Sequence, residues 1–213
     1  MRVKTSRERE ETEPVYQIPD TFENRFIIFA ESRRLEPEFL AGLGVHVCPD
    51  NGDRPGWIAF PYTSLSHLWY HRYRNPSNDG GQRYHQPGSG THLYNPLHLG
   101  PNADQVWFCE GEVDALTAIR AGLPAIGVPG VGISQKIFEG SWRLLFDTAT
   151  VVVAFDDDEA GRAASLRLAE AFAPRSFVFD VFPDGVKDLN EWWCEDAEGM
   201  EEAVSLFKEG MKQ

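Results

Sequence analysis

Four short apolar runs, each followed by a segment of helical pattern, dominate the sequence after Pro101. The runs cover residues 106–109, 125–128, 150–155 and 176–182, and the helical segments cover 113–121, 136–146, 159–172 and 188–208. Alternation of this kind predicts a parallel sheet with helices on both faces, because each strand needs a crossover connection to reach its parallel neighbour. The sequence therefore predicts a Rossmann-like α/β domain with a mostly parallel sheet of about four strands.

Acidic residues follow three of the four apolar runs. Glu110 follows the first run, Asp156 and Asp158 follow the third, and Asp188 follows the fourth. Because sites form at the carboxyl ends of parallel strands, we expect these carboxylates to meet at one edge of the sheet. Side chains alternate along an extended segment, so Asp156 and Asp158 are expected to share a face from which Asp157 points away. Such carboxylates repel one another, and sites built only from oxygen ligands suit Mg²⁺ or Mn²⁺.

Helix capping is the simpler interpretation of each acidic cluster taken alone. Acidic side chains stabilise helix N-termini, and Asp158, Glu159 and Glu112 could do only that. Three clusters at one edge, each after an apolar run, make capping an insufficient explanation for the whole set. Gly111 and Gly161 stand beside the acids, where glycine allows a close approach of backbone or ligand.

Three motifs, CEGEVDALTA, AFDDDEAGRAA and KDLNEW, stand in order along the chain. Over residues 106–192 they resemble the Toprim domain shared by primases, topoisomerases and some nucleases. Their spelling is similar to bacterial DnaG-type primases and to the primase half of phage primase–helicases. The resemblance implies that Glu110, Asp156 and Asp158 are catalytic, and that these three with Asp188 hold two or more Mg²⁺ or Mn²⁺ ions. Bacterial primases tend to have a second acid where Asn190 stands, so no metal-binding role is assigned to Asn190.

The part in front of the Toprim-like motifs is expected to form a small α+β subdomain over residues 25–100, after a flexible tail over 1–24. A helical pattern ends near Leu43, and aromatic runs over 57–62 and 68–73 predict a hairpin, followed by a loop over 75–90. The Toprim domain with its C-terminal helix is expected over 101–213.

The segments GWIAFPY, YHRYR and QRYHQPGSGTHLYN resemble the N-terminal subdomain of primase cores, mainly of phage and actinobacterial type. The resemblance implies a basic groove for template and nucleotide. The residues assigned to nucleic-acid or nucleotide binding are Arg72, Arg74, Arg83, Tyr84, His85, Asn95, Lys136 and Lys187. The alternative for this aromatic stretch is a half-buried hairpin with one solvated face.

The charge is divided unevenly along the chain. The net charge is −13, yet residues 54–100 carry four arginines and one aspartate. Residues 101–213 carry 9 Lys and Arg against 21 Asp and Glu, which suits a carboxylate site beside a separate phosphate-binding surface. The cysteines at 48, 109 and 194 have no metal-ligand spacing, so no zinc is expected in this chain. The sequence has no apolar run long enough for a membrane span and no signal-peptide pattern, which predicts a cytoplasmic protein without membrane contact.

These features together predict the catalytic core of a DNA primase, which makes short RNA primers on a single-stranded DNA template from ribonucleoside triphosphates. The chain contains neither a Cys-rich zinc module nor a helicase P-loop. We therefore expect a zinc-binding primase module and a replicative helicase on another chain, or on another part of a longer chain. Two alternatives remain open, namely a Toprim-family metal-dependent nuclease and a non-catalytic nucleic-acid-binding replication module.

Overall fold

The computed structural model describes residues 21–49, 54–63, 68–77, 81–87, 92–130 and 141–212. Lys136 and the first part of the helix predicted over 136–146 lie outside these ranges. The helices are α1 (Phe22–Glu31), α2 (Pro37–Gly42), α3 (Glu112–Arg120), α4 (Ser141–Leu145), α5 (Glu159–Phe172) and α6 (Leu189–Gly210). The strands are β1 (His46–Val47), β2 (Ile58–Thr63), β3 (Leu68–Arg74), β4 (Tyr84–His85), β5 (Gln105–Glu110), β6 (Ala125–Val128), β7 (Thr150–Ala154) and β8 (Ser176–Val178).

The parallel sheet predicted for the second half of the chain is confirmed. Its strand order is β6-β5-β7-β8, and every neighbouring pair is parallel. Cys109 near the end of β5 lies opposite Gly127 of β6 on one side and Ala154 of β7 on the other. Because the three strands run in the same direction and end at matching positions, their carboxyl ends share one edge of the sheet.

Alternate side chains of this sheet enter two cores, one on each face. Trp107 of β5 and Val152 of β7 are fully buried on the face covered by α3 and α6, while Phe108 packs on the other face against Phe146 and Phe172. The first core continues into the front part of the chain, through Phe29, Leu40, Ile58 and Phe60. The two sheets therefore share one buried interior.

The hairpin predicted between residues 57 and 73 is also confirmed. β2 and β3 pair antiparallel, with Phe60 opposite Arg72, in a sheet of order β1-β2-β3-β4. The prediction of a loop over 75–90 is wrong at Tyr84 and His85, which form β4 and pair with the end of β3. A strand of two residues is too short to produce an alternating hydrophobic pattern that could be recognised in the sequence. It forms because the edge of β3 offers unpaired backbone N–H and C=O groups.

The last part of the chain differs from its prediction in two places. The fourth parallel strand ends at Val178 rather than at Phe182. Beyond it, Phe179 and Phe182 pack their rings on Trp192 of α6, so their hydrophobicity reflects packing under a helix rather than strand pairing. Helix α6 kinks at Asp196, whose backbone is non-helical. No helix within the described ranges has both the length and the hydrophobicity needed to cross a membrane.

Leu116 of α3 is fully buried in the core that joins the two sheets, whereas Leu206 of α6 is 61% exposed. We expect Leu116→Ala to lower the free energy of unfolding by about 2–5 kcal/mol, because the lost methyl groups leave a cavity that the core cannot close. The matched change Leu206→Ala is expected to cost about 0.5 kcal/mol or less. Urea unfolding followed by circular dichroism measures both, and equal losses would contradict the assigned core.

Candidate active site

Carboxylates from three chain segments line one cleft at the carboxyl edge of the parallel sheet. Glu110 is the last residue of β5, Asp156 follows the end of β7, and Asp188 precedes α6. All three line a cleft of about 290 Å³, together with Asp114 from the first turn of α3. The fold thus brings together residues that are widely separated in the sequence, as the strand-end rule predicts.

Local sequence explains why the backbone can hold these acids so close. Gly111, at the start of α3, has a backbone φ of +94°. Residues other than glycine rarely adopt a positive φ of this size, because their Cβ atom would be crowded. Gly161 in the first turn of α5 lies against the backbone carbonyl of Asp156, and a Cβ there would collide with that oxygen. The two glycines therefore let α3 and α5 begin directly beside the acidic edge.

The carboxylates of the cleft destabilise one another when ionised. Burial raises the pKa of Asp156 to about 7, together with repulsion from neighbouring carboxylates. Glu110 makes the largest single contribution to that repulsion, followed by Asp188 and Asp158. Burial also raises the pKa of Glu110, against a hydrogen bond from the Asp156 backbone N–H that lowers it. A cation between these groups would relieve the repulsion.

Asp157 and Asp158 differ in the way their side chains are used. Asp158 caps α5, and its Oδ1 accepts a hydrogen bond of 2.7 Å from the Gly161 backbone N–H. The capping interpretation is therefore confirmed for Asp158, which still lies near enough to raise the pKa of Glu110 and Asp156. Asp157 instead forms an ion pair of 2.7 Å with Arg162, and neither Asp157 nor Asp158 is among the residues that line the cleft.

Asp114 is a buried acid of the site that sequence reasoning did not select. It is 9% exposed, and its Oδ1 accepts a hydrogen bond of 3.0 Å from the Asn190 backbone N–H. Burial raises its pKa well above the usual range, and Asp188 and Asp156 add to the effect. The sequence did contain a signal for Asp114, which stands four residues after Glu110 in the motif EGEVD. That spacing places it in the first turn of α3, directly above the end of β5, where it can face the same cleft as Glu110.

Glu112 does not act as a simple capping residue. Its side chain is 4% exposed, and its Oε1 accepts hydrogen bonds from the Tyr62 hydroxyl at 2.6 Å and from Arg72 Nη1 at 2.8 Å. Burial lowers the pKa of Arg72, but Glu112 and Tyr62 together more than offset this effect, so the pKa is raised overall. Arg72 was predicted to bind nucleic acid, and part of its guanidinium is instead used to join β3 to α3.

Arginines form the wall of the cleft that faces the carboxylates. Arg72, Arg74 and Arg83 lie over the ring of Tyr84, with distances of 4.8, 5.5 and 5.6 Å from each guanidinium carbon to the ring centroid. Arg74 is 8% exposed, and burial lowers its pKa. Cation–π contacts with the Tyr84 ring favour the positions of Arg74 and Arg83 beside Arg72, which also pairs with Glu112.

Arg33, at the end of α1, completes this wall and was missed by sequence reasoning. Its Nε is buried without a hydrogen-bond partner among the described residues. Arg33, Arg74 and Arg83 also line an adjoining cavity of about 720 Å³, together with Arg25, between α1 and the residues that follow β3 and precede β4. The doublet Arg33-Arg34 was a weak signal, since basic doublets on helices are usually solvated.

Asn190 joins the two halves of the protein rather than facing the acids with its side chain. Its Nδ2 donates to the Arg33 carbonyl and to Thr117 Oγ1, both at 3.0 Å, and its Oδ1 accepts from Arg33 Nη1 at 3.2 Å. The side chain is 2% exposed. An amide can make these three bonds at once because it has both donors and an acceptor, which a carboxylate lacks.

The other residues assigned to nucleic-acid binding lie elsewhere. His85 is on the opposite face of β4 from Tyr84, and its Nδ1 lies 3.1 Å from Arg54 Nη2. Asn95 is buried, and its amide makes two hydrogen bonds to the backbone of Leu99. Lys187 is exposed beside the cleft and is not among its lining residues. The binding roles of these residues stay predictions.

The donor set of the cleft fits a hard divalent cation, because carboxylate oxygens are the ligands that Mg²⁺ and Mn²⁺ prefer. Within the described ranges, no group of three or more His, Cys, Asp or Glu side chains is arranged closely enough to hold an ion as it stands. Burial raises the pKa of Asp156 and of Glu110, and repulsion from neighbouring carboxylates adds to both shifts. The chemistry of the residues therefore fits a metal, and the assignment of individual ligands stays a prediction.

Comparison with known proteins identifies the fold. Residues 107–193 match the family model described as Toprim-like. The primase fragment of the bacteriophage T7 primase-helicase protein has a TM-score of 0.67 and 22% identity, over 82% of this chain and 72% of that one. The DnaG primase catalytic domain bound to ssDNA has a TM-score of 0.65 and 18% identity, over 88% of this chain and 73% of that one. The fold is thus that of the DnaG-type primase catalytic core, with a Toprim domain.

A phage protein shows the closer relationship by sequence. The Gene 57 protein of Mycobacterium phage D29 is 31% identical over 142 residues, which are 63% of this chain and 88% of that protein. The chain belongs to the family of this phage protein. The resemblance to Toprim domains and DnaG-type primase cores, inferred from the three motifs, is confirmed.

Asp156 makes the stability of the metal-free protein depend on pH. The unfolded chain releases the Asp156 proton near its ordinary pKa of about 3.9, whereas the folded chain holds it up to about pH 7. Between these values the folded state binds more protons, so the free energy of unfolding falls as pH rises. We expect Asp156→Asn to remove this contribution and to raise the melting temperature at neutral pH by at least about 2 °C in EDTA.

Calorimetry of both proteins across this pH range, with EDTA and with Mg²⁺, measures the effect. Mg²⁺ is expected to raise the melting temperature of the wild-type protein more than that of the variant. In the wild-type protein a bound cation offsets the negative charge that Asp156 carries after it has lost its proton, whereas the variant has no charge at this position. Identical pH profiles for the two proteins would show that Asp156 does not carry the repulsion.

Loss of the Asn190 side chain should weaken the junction between the two halves of the protein. We expect Asn190→Ala to lower the free energy of unfolding by about 1–3 kcal/mol, because the Thr117 hydroxyl and the Arg33 carbonyl lose buried partners. Asn102→Ala changes an exposed turn residue in the same way and is expected to cost about 0.5 kcal/mol or less. Chemical denaturation measures both changes, and a neutral Asn190→Ala would refute the assigned junction.

Proposed function

We propose that this chain is the catalytic core of a DNA primase and makes short RNA primers on single-stranded DNA. One observation carries the proposal. Carboxylates form one wall of the cleft, and the arginine cluster around Tyr84 forms the facing wall. Nucleotidyl transfer needs both, because metal ions must be held next to the reacting phosphate and the remaining phosphates must be neutralised.

The acidic wall is proposed to hold two or more Mg²⁺ or Mn²⁺ ions through Glu110, Asp156, Asp158 and Asp188. When bound, such ions supply electrophilic stabilisation of the α-phosphate and of the leaving pyrophosphate. Glu110 is partly buried and has a raised pKa, which suits it to accept the proton of the attacking 3′-hydroxyl or to serve as a ligand. Asp114 is proposed to position Asp188 and the start of α6, through its bond to the Asn190 backbone.

The basic wall is proposed to bind the phosphates of nucleotide and template. Arg74 and Arg83 are the main candidates, since the guanidinium of Arg72 already bonds to Glu112. Arginine makes bidentate contacts with phosphate oxygens, which fixes orientation as well as supplying charge. Arg33 is added to this set by its place between the cleft and the adjoining cavity. Residues 25–100 are proposed to handle template and nucleotide, and residues 101–213 to carry the chemistry.

The partners are proposed from the same reasoning. The DnaG catalytic domain of similar fold is described as bound to ssDNA, and the T7 fragment is part of a primase-helicase protein. For this chain we propose single-stranded DNA and ribonucleoside triphosphates as substrates. A zinc-binding primase module and a replicative helicase are proposed as partners, on another chain or on another part of a longer one.

Primer synthesis from labelled ribonucleotides on single-stranded DNA templates, with Mg²⁺ or Mn²⁺, tests the proposal. We expect short RNA products, and a loss of at least about 100-fold in the Asp156→Ala, Asp158→Ala double variant, because the metal-held stabilisation is worth several kcal/mol. Asp157→Ala is the matched control, since Asp157 pairs with Arg162 away from the cleft and its loss should leave most of the activity.

Other outcomes would redirect the proposal. Shortened template without RNA synthesis, lost in the double variant, would identify a Toprim nuclease. The absence of both products, even after addition of a zinc-binding primase module, would contradict a catalytic role. Equal losses from Asp157→Ala and from the double variant would place the site elsewhere.

A further inference from the structure

The antiparallel sheet has a second face that the proposed active site does not use. Side chains alternate along β3 and β4, so the faces can be assigned residue by residue. Arg72, Arg74 and Tyr84 lie on the face that meets the cleft. His71 and Tyr73, between and beside those arginines, point to the opposite face.

Aromatic rings form a continuous row on this opposite face. The ring centroids of His46 and His71 are 5.0 Å apart, those of His71 and Tyr73 are 6.1 Å apart, and those of Tyr73 and His85 are 6.0 Å apart. We name these four residues the outer ring row. His46 is exposed, and the other three are partly exposed. A row of partly exposed rings on an antiparallel sheet is the arrangement on which unpaired bases stack in single-strand-binding domains.

The charge of this sheet fits a nucleic acid. The four strands contain no Asp or Glu, in a chain that has 33 acidic residues and a net charge of −13. Arg54 extends the outer ring row at its β4 end, where it contacts His85 and lies 5.1 Å from the centroid of the Trp57 ring. A cation beside stacked rings would meet the phosphate that joins two stacked bases.

The outer ring row is continuous with the cleft across one strand edge. Tyr84 and His85 are neighbours on β4, and they point to the cleft and to the outer ring row, respectively. Among the described residues β4 is the last strand in the sheet order, so the cleft and the outer ring row meet at this edge of the sheet.

We propose that the outer ring row is a second binding surface for single-stranded DNA, which holds by base stacking a part of the strand outside the cleft. The identification of that strand as the template rests on the proposed function. The surface itself rests on the ring geometry and the absence of acidic residues from the four strands. Stacking of this kind is tolerant of sequence, so the surface would add affinity and not base specificity.

Fluorescence anisotropy with labelled oligo(dT) tests the proposal without any need for catalysis. We expect the double variant His71→Leu, Tyr73→Leu to weaken binding by at least about tenfold, because one or two stacked bases lose their platform. Leucine removes both aromatic rings but retains a branched side chain at each position, and thermal unfolding checks that the sheet is intact. Arg54→Gln should weaken binding and reduce its salt dependence, whereas the matched change Arg167→Gln on exposed α5 should do neither.

Cross-linking provides a direct readout. Oligonucleotides with bromodeoxyuridine should cross-link to the segment over residues 69–74 in the wild-type protein and lose that cross-link in the double variant. The Asp156→Ala, Asp158→Ala variant should still give it. If the wild-type protein gives the cross-link but makes no primer, the second DNA-binding surface is supported and the proposed primase activity is contradicted.

Three results would overturn the proposal. These are the absence of oligo(dT) binding by the wild-type protein, unchanged affinity in a folded double variant, and cross-links confined to other segments. A change of oligomeric state in the double variant, measured by light scattering with unchanged DNA affinity, would instead identify the face as a contact between protein chains.

Discussion

The parallel pairing of β5 with β7 is the constraint on which the site depends. The register places Cys109 opposite Ala154, so Glu110 and the residues after Ala154 emerge at the same height. A shift of one residue would turn alternate side chains to the other face and remove Glu110 from Asp156. The two hydrophobic cores fix this register, because each strand buries large side chains on both faces. The acidic edge therefore exists because the sheet beneath it is held by packing.

The front subdomain contributes side chains that pack beside the acidic edge. The front subdomain supplies Arg72, which reaches across to the buried Glu112, and Arg33, which bonds to Asn190 beside Asp188. Buried charges are tolerated best when they are paired and hydrogen-bonded, and the ion pair between Arg72 and Glu112 meets that condition. The same contacts set the separation of the acidic and basic walls, so the junction between the subdomains also shapes the cleft.

Patterns within a few residues carried most of what could be predicted. The period of the apolar runs predicted the parallel strands, and the acids after them predicted the place of Glu110, Asp156 and Asp188. These inferences succeed because the alternation of apolar runs with helical segments, and the residue at which each run ends, can be read from neighbouring positions in the sequence. The strand predicted up to Phe182 was too long, since an apolar run does not reveal whether its side chains pair in a sheet or pack under a helix. β4 was missed because its two residues pair only when the edge of β3 is already formed.

The sequence by itself determined the fold class, the places of the acids at or just after the ends of β5 and β7, and the excess of acidic residues after residue 100, because all three follow from residue type and spacing. Tertiary structure alone decided which polar groups meet. Arg33 lies 157 residues from Asn190, Arg72 lies 40 residues from Glu112, and Tyr62 lies 50 residues from Glu112. Contacts at such separation depend on how two sheets dock through a shared core, and the free energy of that docking is spread over many side chains. No single motif encodes it, which is why the acidic wall was visible in the sequence and the full basic wall was not.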